Sequence, residues 1–246
     1  MKPVRLFFNV FSLFFLLGPG ASQSDMPSFK PYTGARVSNN SNLIVFHCEQ
    51  TIAVVELKMK RFIENCEFIE VVDVRQKRQE LNKLRSLIGK PITLKFPQMM
   101  DLMSRCSKIP DVKPQRINNM QSDQPVSQNR NQQSLQLILP GTKWCGTGDI
   151  AANYFDLGTQ SEIDKCCRLH DICPVKVHGY SFRYGVNNTS PITKSHCKCD
   201  QELKRCLKKE NQPIANLMGQ IYFNVIKIQC VSGTVPNLQV LDQGKY

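Results

Sequence analysis

The stretch Cys166-Cys167-Arg168-Leu169-His170-Asp171-Ile172-Cys173 places two cysteines seven residues apart, and the stretch from Cys199 to Cys206 repeats that spacing. Residues seven apart lie on one face of an α-helix, two turns apart. The equal spacing therefore predicts two helices joined by two disulfides. An antiparallel arrangement pairs Cys166 with Cys206 and Cys173 with Cys199, and it is favoured because helices with a modest connection usually return alongside each other. A parallel arrangement would pair them the other way, and cysteine spacing leaves both open.

The N-terminus indicates why these cysteines are expected to form disulfides. Lys2 and Arg5 precede an apolar run from Leu6 to Leu17 that ends in small residues, which is the layout of a secretory signal peptide over residues 1–22. The run is too short to span a bilayer. Export brings thiols into an oxidising environment, so the sequence predicts a secreted, extracellular protein with paired cysteines.

His170 is the candidate catalytic base in this helix pair. It lies midway between the two cysteines of its helix, so in the antiparallel register it is level with the region of residue 202 on the other helix. Asp200 and Glu202 both lie within one turn of that level, and the register leaves both open as its partner. A His held against a carboxylate stays in one tautomer and is stabilised as imidazolium when it takes a proton. Asp171 points about 100° away from His170 and is free for another role.

A glycine-containing stretch, Trp144-Cys145-Gly146-Thr147-Gly148-Asp149, precedes the first predicted helix. Two glycines two residues apart let the backbone turn so that several carbonyls face one point, and carbonyl oxygens with a carboxylate suit Ca²⁺. On its own this pattern is more typical of a turn. The rival metal site is a zinc cluster that would consist of Cys166, Cys167, His170 and Cys173. It is disfavoured because export oxidises thiols.

Together these motifs resemble the secreted phospholipase A2 family of the bee-venom type, group III. The resemblance runs from Leu135 to Cys230, and its matching segments are Trp144 to Gly148, Cys166 to Pro174, Cys197 to Asp200, Cys206 to Lys208 and Tyr222 to Asn224. It implies that His170 is the catalytic base and that Asp200, rather than Glu202, orients it. It also implies that Tyr222 supports the pair. Nothing before Leu135 matches the motif.

The resemblance further implies the metal ligands and the disulfides. The backbone carbonyls of Trp144, Gly146 and Gly148 and the carboxylate of Asp171 would bind Ca²⁺ as the cofactor. The implied disulfides include the antiparallel pairing described above, and they are Cys145–Cys167, Cys166–Cys206, Cys173–Cys199 and Cys197–Cys230.

The expected function is that of a calcium-dependent phospholipase A2, which hydrolyses the sn-2 ester of glycerophospholipids to lysophospholipid and free fatty acid. Its partner would be a phospholipid membrane surface, with a mild preference for anionic interfaces because residues 135–246 carry 13 Lys and Arg against nine acids. The alternative is a secreted membrane-binding or receptor-binding protein on the same scaffold for which catalysis is dispensable. A nucleic-acid partner fits the net charge of +12 but not the signal peptide or the cysteines, so none is expected.

Composition divides the rest of the chain. Residues 23–106 form an N-terminal region, either a removed propeptide or a retained domain, with a helical pattern from Gln76 to Ile88. A polar linker follows at residues 107–134, and the phospholipase A2-like catalytic domain occupies residues 135–246. The predicted fold is mainly α and disulfide-rich. Two antiparallel disulfide-linked helices carry the active site, a calcium-binding loop precedes them, and a separate small N-terminal region has α+β or mixed structure.

The N-terminal region holds an odd number of cysteines, namely Cys48, Cys66 and Cys106. One internal bridge would leave one thiol over. That thiol is either free or paired with a second copy in a disulfide-linked dimer, and the sequence does not indicate which cysteine it is.

Overall fold

The computed structural model describes residues 29–38, 42–59, 61–110 and 138–246. The predicted signal peptide and residues 111–134 of the predicted linker lie outside the described residues. Within the described ranges, no helix has both the length and the apolar character needed to cross a membrane.

The N-terminal region is built on a four-stranded sheet. Strands β1 (Asn42–Cys48), β2 (Thr51–Lys58) and β3 (Phe62–Glu70) pair antiparallel, and the two-residue strand β4 (Ile92–Thr93) pairs parallel with β1. The strand order is β3-β2-β1-β4. The central strand β2 is buried at every position from Thr51 to Glu56, because both faces of the sheet are covered.

One helix covers each face of this sheet. Helix α1 (Val74–Leu87) confirms the predicted helix over Gln76–Ile88, and Asp73 caps it by accepting a hydrogen bond from Gln76 N at 2.8 Å. It closes an apolar cluster formed by Val45, Ile52, Val54, Ile69, Val71 and Leu84. Helix α2 (Phe96–Cys106) packs on the opposite face and is joined to β3 by the Cys66–Cys106 disulfide.

Residues 138–246, the described part of the predicted catalytic domain and called the catalytic part below, are organised around a pair of helices joined by disulfides. Helices α3 (Ser161–Asp171) and α4 (Cys197–Glu210) are linked by the Cys166–Cys206 and Cys173–Cys199 bridges. The first cysteine of one helix thus pairs with the later cysteine of the other, so the two helices run in opposite directions. Helix α5 (Pro213–Gly219) follows α4 and continues directly into a π-helical segment, Gln220–Ile226.

The prediction of a mainly α, disulfide-rich fold is confirmed in part: the disulfides and helices are present, but the described residues contain more sheet than predicted. Besides the N-terminal sheet, the catalytic part contains three two-stranded antiparallel ladders, which pair β5 (Lys176–Val177) with β8 (Lys194–Ser195), β6 (Ser181–Arg183) with β7 (Val186–Asn188), and β9 (Cys230–Thr234) with β10 (Asn237–Leu241). These strands are two to five residues long. Such short strands carry too little alternation of polar and apolar residues to be recognised from sequence. The protein is a disulfide-rich mixture of α and β structure.

The N-terminal region is also not separate from the catalytic part. Tyr154 and Ile172 of the catalytic part belong to the same apolar cluster as Phe68 and Met99 of the N-terminal region. The turn between β1 and β2 reaches the end of α3, where Thr51 Oγ1 donates a hydrogen bond to Ile172 O at 2.8 Å. The two regions differ in composition, but they share one apolar cluster.

The unpaired cysteine is Cys48, since Cys66 pairs with Cys106. Only 4% of Cys48 is exposed, and it packs in the cluster between the sheet and α2. Burial raises the pKa of its thiol to about 11, with a smaller contribution from Glu49. A buried, protonated thiol is a poor partner for an intermolecular bridge, so the disulfide-linked dimer that the cysteine count allowed is not supported.

Candidate active site

The structure brings His170 and Asp200 together across the α3–α4 pair. His170 Nε2 lies 2.5 Å from Asp200 Oδ1, and the Asp200 carboxylate is fully buried. One disulfide lies on each side of this contact, at Cys166 within α3 and at Cys173 two residues after its end, so they hold the helices in register at the point where the side chains meet. Glu202, the other candidate from the sequence, instead forms an ion pair with Arg205 on its own helix.

Tyr222 completes this group from the π-helical segment. Its hydroxyl donates a hydrogen bond to Asp200 Oδ1 at 3.0 Å and lies 3.2 Å from His170 Nε2. Its ring meets the His170 ring edge to face, with centroids 5.3 Å apart. Burial and the neighbouring charge of Asp200 raise the pKa of Tyr222 well above its usual value, so the hydroxyl keeps its proton and acts as a donor.

The surroundings of His170 determine which of its nitrogens is available. Asp200 is acceptor-only when ionised, so Nε2 carries the proton that is shared with it, and Nδ1 is left with a lone pair in the neutral ring. Nδ1 lies 3.7 Å from Asp171 Oδ1. Burial acts to lower the pKa of His170, but hydrogen bonds and charges from Asp171 and Asp200 outweigh it and raise this pKa to about 9.

Asp171 carries a carboxylate oxygen that lacks a partner. Its Oδ2 is buried and has no hydrogen bond within the described residues. Burial raises the pKa of this carboxyl to about 6, although the nearby His170 and Lys176 oppose the shift. A buried carboxylate is costly unless a cation or donors compensate it, and a cation is the compensation that this arrangement leaves open.

The stretch Trp144 to Gly148 is joined to α3 by a disulfide. The Cys145–Cys167 disulfide ties its centre to α3 four residues before Asp171, on the same face of that helix. Gly148 has a φ of +81°, a left-handed conformation that favours glycine. The residues therefore fit Ca²⁺, which prefers oxygen ligands: one unsatisfied carboxylate lies on the helix face to which a glycine-containing loop is bound.

The alternative zinc cluster is excluded, because Cys166, Cys167 and Cys173 are all held in disulfides. Within the ranges that the structure describes, no group of three or more His, Cys, Asp or Glu side chains is placed to hold a metal ion. A calcium site here would consist of one carboxylate and several backbone carbonyls.

Sequence reasoning missed the residue that shapes the loop. Asp164, in the first turn of α3, is fully buried and accepts hydrogen bonds from three backbone N–H groups, those of Lys143, Trp144 and Gly158. The bonds are 2.9, 2.7 and 2.8 Å long. An acidic residue two positions before Cys166 was the available signal, but acids are common in the first turn of any helix.

Sequence reasoning also missed a contact to Asp200 from the C-terminal segment, where no motif was found. Gln243 Nε2 lies 2.5 Å from Asp200 Oδ2, the carboxylate oxygen that His170 and Tyr222 do not use. No local pattern in the sequence points to this residue, since it lies 43 positions after Asp200.

The disulfide-joined helices and the His170–Asp200 pair are among the features on which the resemblance to phospholipase A2 rests, and comparison with known proteins agrees with that resemblance. Residues 138–234 match the family model described as Phospholipase A2. The chain is 39% identical over 95 residues to a phospholipase A2 of Bombus terrestris, a match that covers 38% of this chain and 70% of that protein. The chain belongs to the phospholipase A2 family.

Two further relatives are also similar to this chain. The phospholipase A2 isozymes PA3A/PA3B/PA5 of Heloderma suspectum are 45% identical over 93 residues, covering 38% of this chain and 65% of their own length. The group 3 secretory phospholipase A2 of Bos taurus is 42% identical over 92 residues, covering 37% of this chain and 18% of that protein. The family model matches residues 138–234, and the chain spans less than two thirds of the length of these two relatives.

Proposed function

We propose that this protein is a secreted, calcium-dependent phospholipase A2 that hydrolyses the sn-2 ester of glycerophospholipids. The observation that carries the proposal is the buried contact between His170 and Asp200, next to the unsatisfied carboxylate oxygen of Asp171. Family membership and relatives named phospholipase A2 support it. Five disulfides and a relative named secretory support an extracellular location.

In this proposal His170 acts as the general base. Asp200 accepts the Nε2–H bond and fixes the tautomer, so Nδ1 takes one proton from a water molecule while the water oxygen attacks the ester carbonyl. The imidazolium that forms is stabilised by Asp200, and it returns the proton to the departing alcohol oxygen. Tyr222 donates to Asp200 throughout and so limits the freedom of the carboxylate. No serine nucleophile takes part.

The proposed calcium ligands are the backbone carbonyls of Trp144, Gly146 and Gly148 and the carboxylate of Asp171. When bound there, the ion would supply positive charge for the substrate phosphate and for the ester oxygen as it becomes negative. Asp164 serves this site by engaging the N–H groups of Lys143 and Trp144, which holds the loop in one conformation.

The substrate of such an enzyme lies in a membrane, so a surface near the loop must meet lipid. Ile150, two residues after Gly148, is 55% exposed. Leu217 on α5 is 50% exposed, and Val225 is 73% exposed on the π-helical segment that also carries Tyr222. Exposed aliphatic side chains insert into lipid at little cost. The excess of basic residues in this part favours an anionic surface.

The proposal is tested with vesicles of phospholipid labelled in the sn-2 chain. The secreted chain should release labelled fatty acid only when Ca²⁺ is present, and His170→Gln should lower the rate by at least ~10²-fold. His47→Gln makes the same change on β1 of the N-terminal sheet and should retain activity. Release that persists in a chelator would refute the calcium role. Vesicle binding without any hydrolysis would favour the non-catalytic binding protein.

A further inference from the structure

The chain beyond the family match folds back onto the active-site helices. The match ends at residue 234, and strand β10 is followed by residues 242–246. At the end of this segment, the Tyr246 ring stacks on Phe223 with centroids 6.0 Å apart, and Tyr246 N donates to Asn224 Oδ1 at 2.8 Å. Gly219 makes room for the ring, because a Cβ at that position would lie 2.1 Å from it. The segment is therefore held at a defined place beside the π-helical segment.

This placement delivers the Gln243 amide to the catalytic carboxylate. Gln243 Nε2 donates to Asp200 Oδ2 at 2.5 Å and to Ile228 O at 2.8 Å. Both partners are acceptors, so the NH₂ group rather than the carbonyl oxygen of the amide must face them. Each of its two hydrogens has one acceptor, which fixes the rotation of the amide.

We propose that Gln243 is a positioning residue that fixes the Asp200 carboxylate for its contact with His170. The proposal rests on the proposed function, in which Asp200 orients the base. Oδ1 of Asp200 is occupied by His170 and Tyr222, and Gln243 is the donor to Oδ2 in the described part of the chain. A fully buried carboxylate with donors at both oxygens cannot rotate without breaking a charge-assisted hydrogen bond. Gln243 thereby holds Oδ1 in line with Nε2.

The first test replaces Gln243 with Met, which has a similar size and shape but no donor. We expect kcat on sn-2-labelled vesicles to fall about tenfold, because a hydrogen bond to a charged group is lost. KM and the Ca²⁺ concentration for half-maximal rate should stay within about twofold, since the amide is bonded to Asp200 and Ile228 and is not one of the proposed calcium ligands. Gln239→Met makes the same change at an exposed position on β10 and should behave as wild type.

A purely structural role for the C-terminal segment is separated from positioning by a double-mutant cycle. If Gln243 acts through Asp200, Gln243→Met should cost much less in the Asp200→Asn background than in the wild type. Equal losses in both backgrounds would overturn the proposal. Unchanged kcat in both Gln243→Met and Gln243→Glu, which keeps the shape but presents a second acid, would overturn it as well.

A readout without turnover separates this proposal from the proposed function. The proton on His170 Nε2 is observed by nuclear magnetic resonance in a chain with labelled histidine, and the short bond to Asp200 should place it far downfield. Gln243→Met should move this resonance upfield or broaden it, and Gln239→Met should not. If the wild-type chain is inactive on phospholipid but Gln243→Met still shifts this resonance, the positioning role is supported and the proposed phospholipase activity is refuted. An unmoved resonance would refute the positioning role.

Discussion

Asp164→Asn is predicted to loosen the loop of the proposed calcium site without unfolding the protein. The carboxylate of Asp164 accepts from the N–H groups of Lys143, Trp144 and Gly158, and it is fully buried. Asparagine keeps one acceptor oxygen but places an NH₂ group against at least one of these N–H donors. One charge-assisted bond is lost and one donor faces another, which should cost about 2–4 kcal/mol.

The expected loss is measured in two ways. Thermal unfolding of the oxidised protein should show a melting temperature lowered by about 5–15 °C, given the usual relation between stability and melting temperature for a chain of this size. Trp144 is the only tryptophan and lies in the loop, so its fluorescence reports directly on the loop during a Ca²⁺ titration. Half-saturation should move to higher calcium, because part of the binding energy is then used to order the loop.

The matched control is Glu162→Gln, in the same turn of α3. Glu162 is exposed and pairs with Lys165, so its loss should change stability by no more than about 0.5 kcal/mol. If Asp164→Asn unfolds at the same temperature as Glu162→Gln and titrates like the wild type, the three hydrogen bonds do not stabilise the loop and the reasoning is refuted.

Three further predictions concern the metal, the pH dependence of stability and the N-terminal region. Asp171→Asn should weaken Ca²⁺ binding at least tenfold in the same fluorescence titration, since it removes the one carboxylate of the proposed site; an unchanged midpoint would exclude Asp171 as a ligand. Burial lowers the pKa of His178 to about 3, helped by the charges of Lys176 and Arg183, whereas the unfolded pKa is about 6.5. The stability that depends on a neutral His178 is therefore present above pH ~6.5 and is lost as the pH falls toward 3, so His178→Gln should flatten the fall in urea midpoint between pH 7 and pH 5; equal slopes would contradict this. Finally, a chain cut at a protease site inserted within residues 111–137 should still elute as one species in gel filtration without reductant, although no disulfide joins the two parts, because they share a core; separate elution would support a propeptide that leaves after cleavage.

The N-terminal region illustrates which features composition and periodicity can predict and which they cannot. The composition of residues 23–106 predicted an N-terminal region of α+β or mixed structure, and the pattern from Gln76 to Ile88 predicted a helix that α1 confirms. Neither pattern shows that the sheet and α2 also pack against Tyr154 and Ile172 of the catalytic part. Thr51 and Ile172 are 121 positions apart, and a contact at that separation leaves no periodic trace in either segment.

The sequence by itself determined the helix pair and the residues proposed for catalysis. The seven-residue spacing of the cysteines and the position of His170 between them follow from helical periodicity, which depends only on neighbouring residues. Helical periodicity left Asp200 and Glu202 both open, because a fraction of a helical turn separates them, and the family resemblance favoured Asp200. The tertiary structure shows the contact between Asp200 and His170 directly. Only the tertiary structure decided the contacts of Asp164 and Gln243 and the docking of the N-terminal sheet. Each of these contacts joins segments distant in the chain, and their approach is set by how the cores pack and where the disulfides close, which no local pattern encodes.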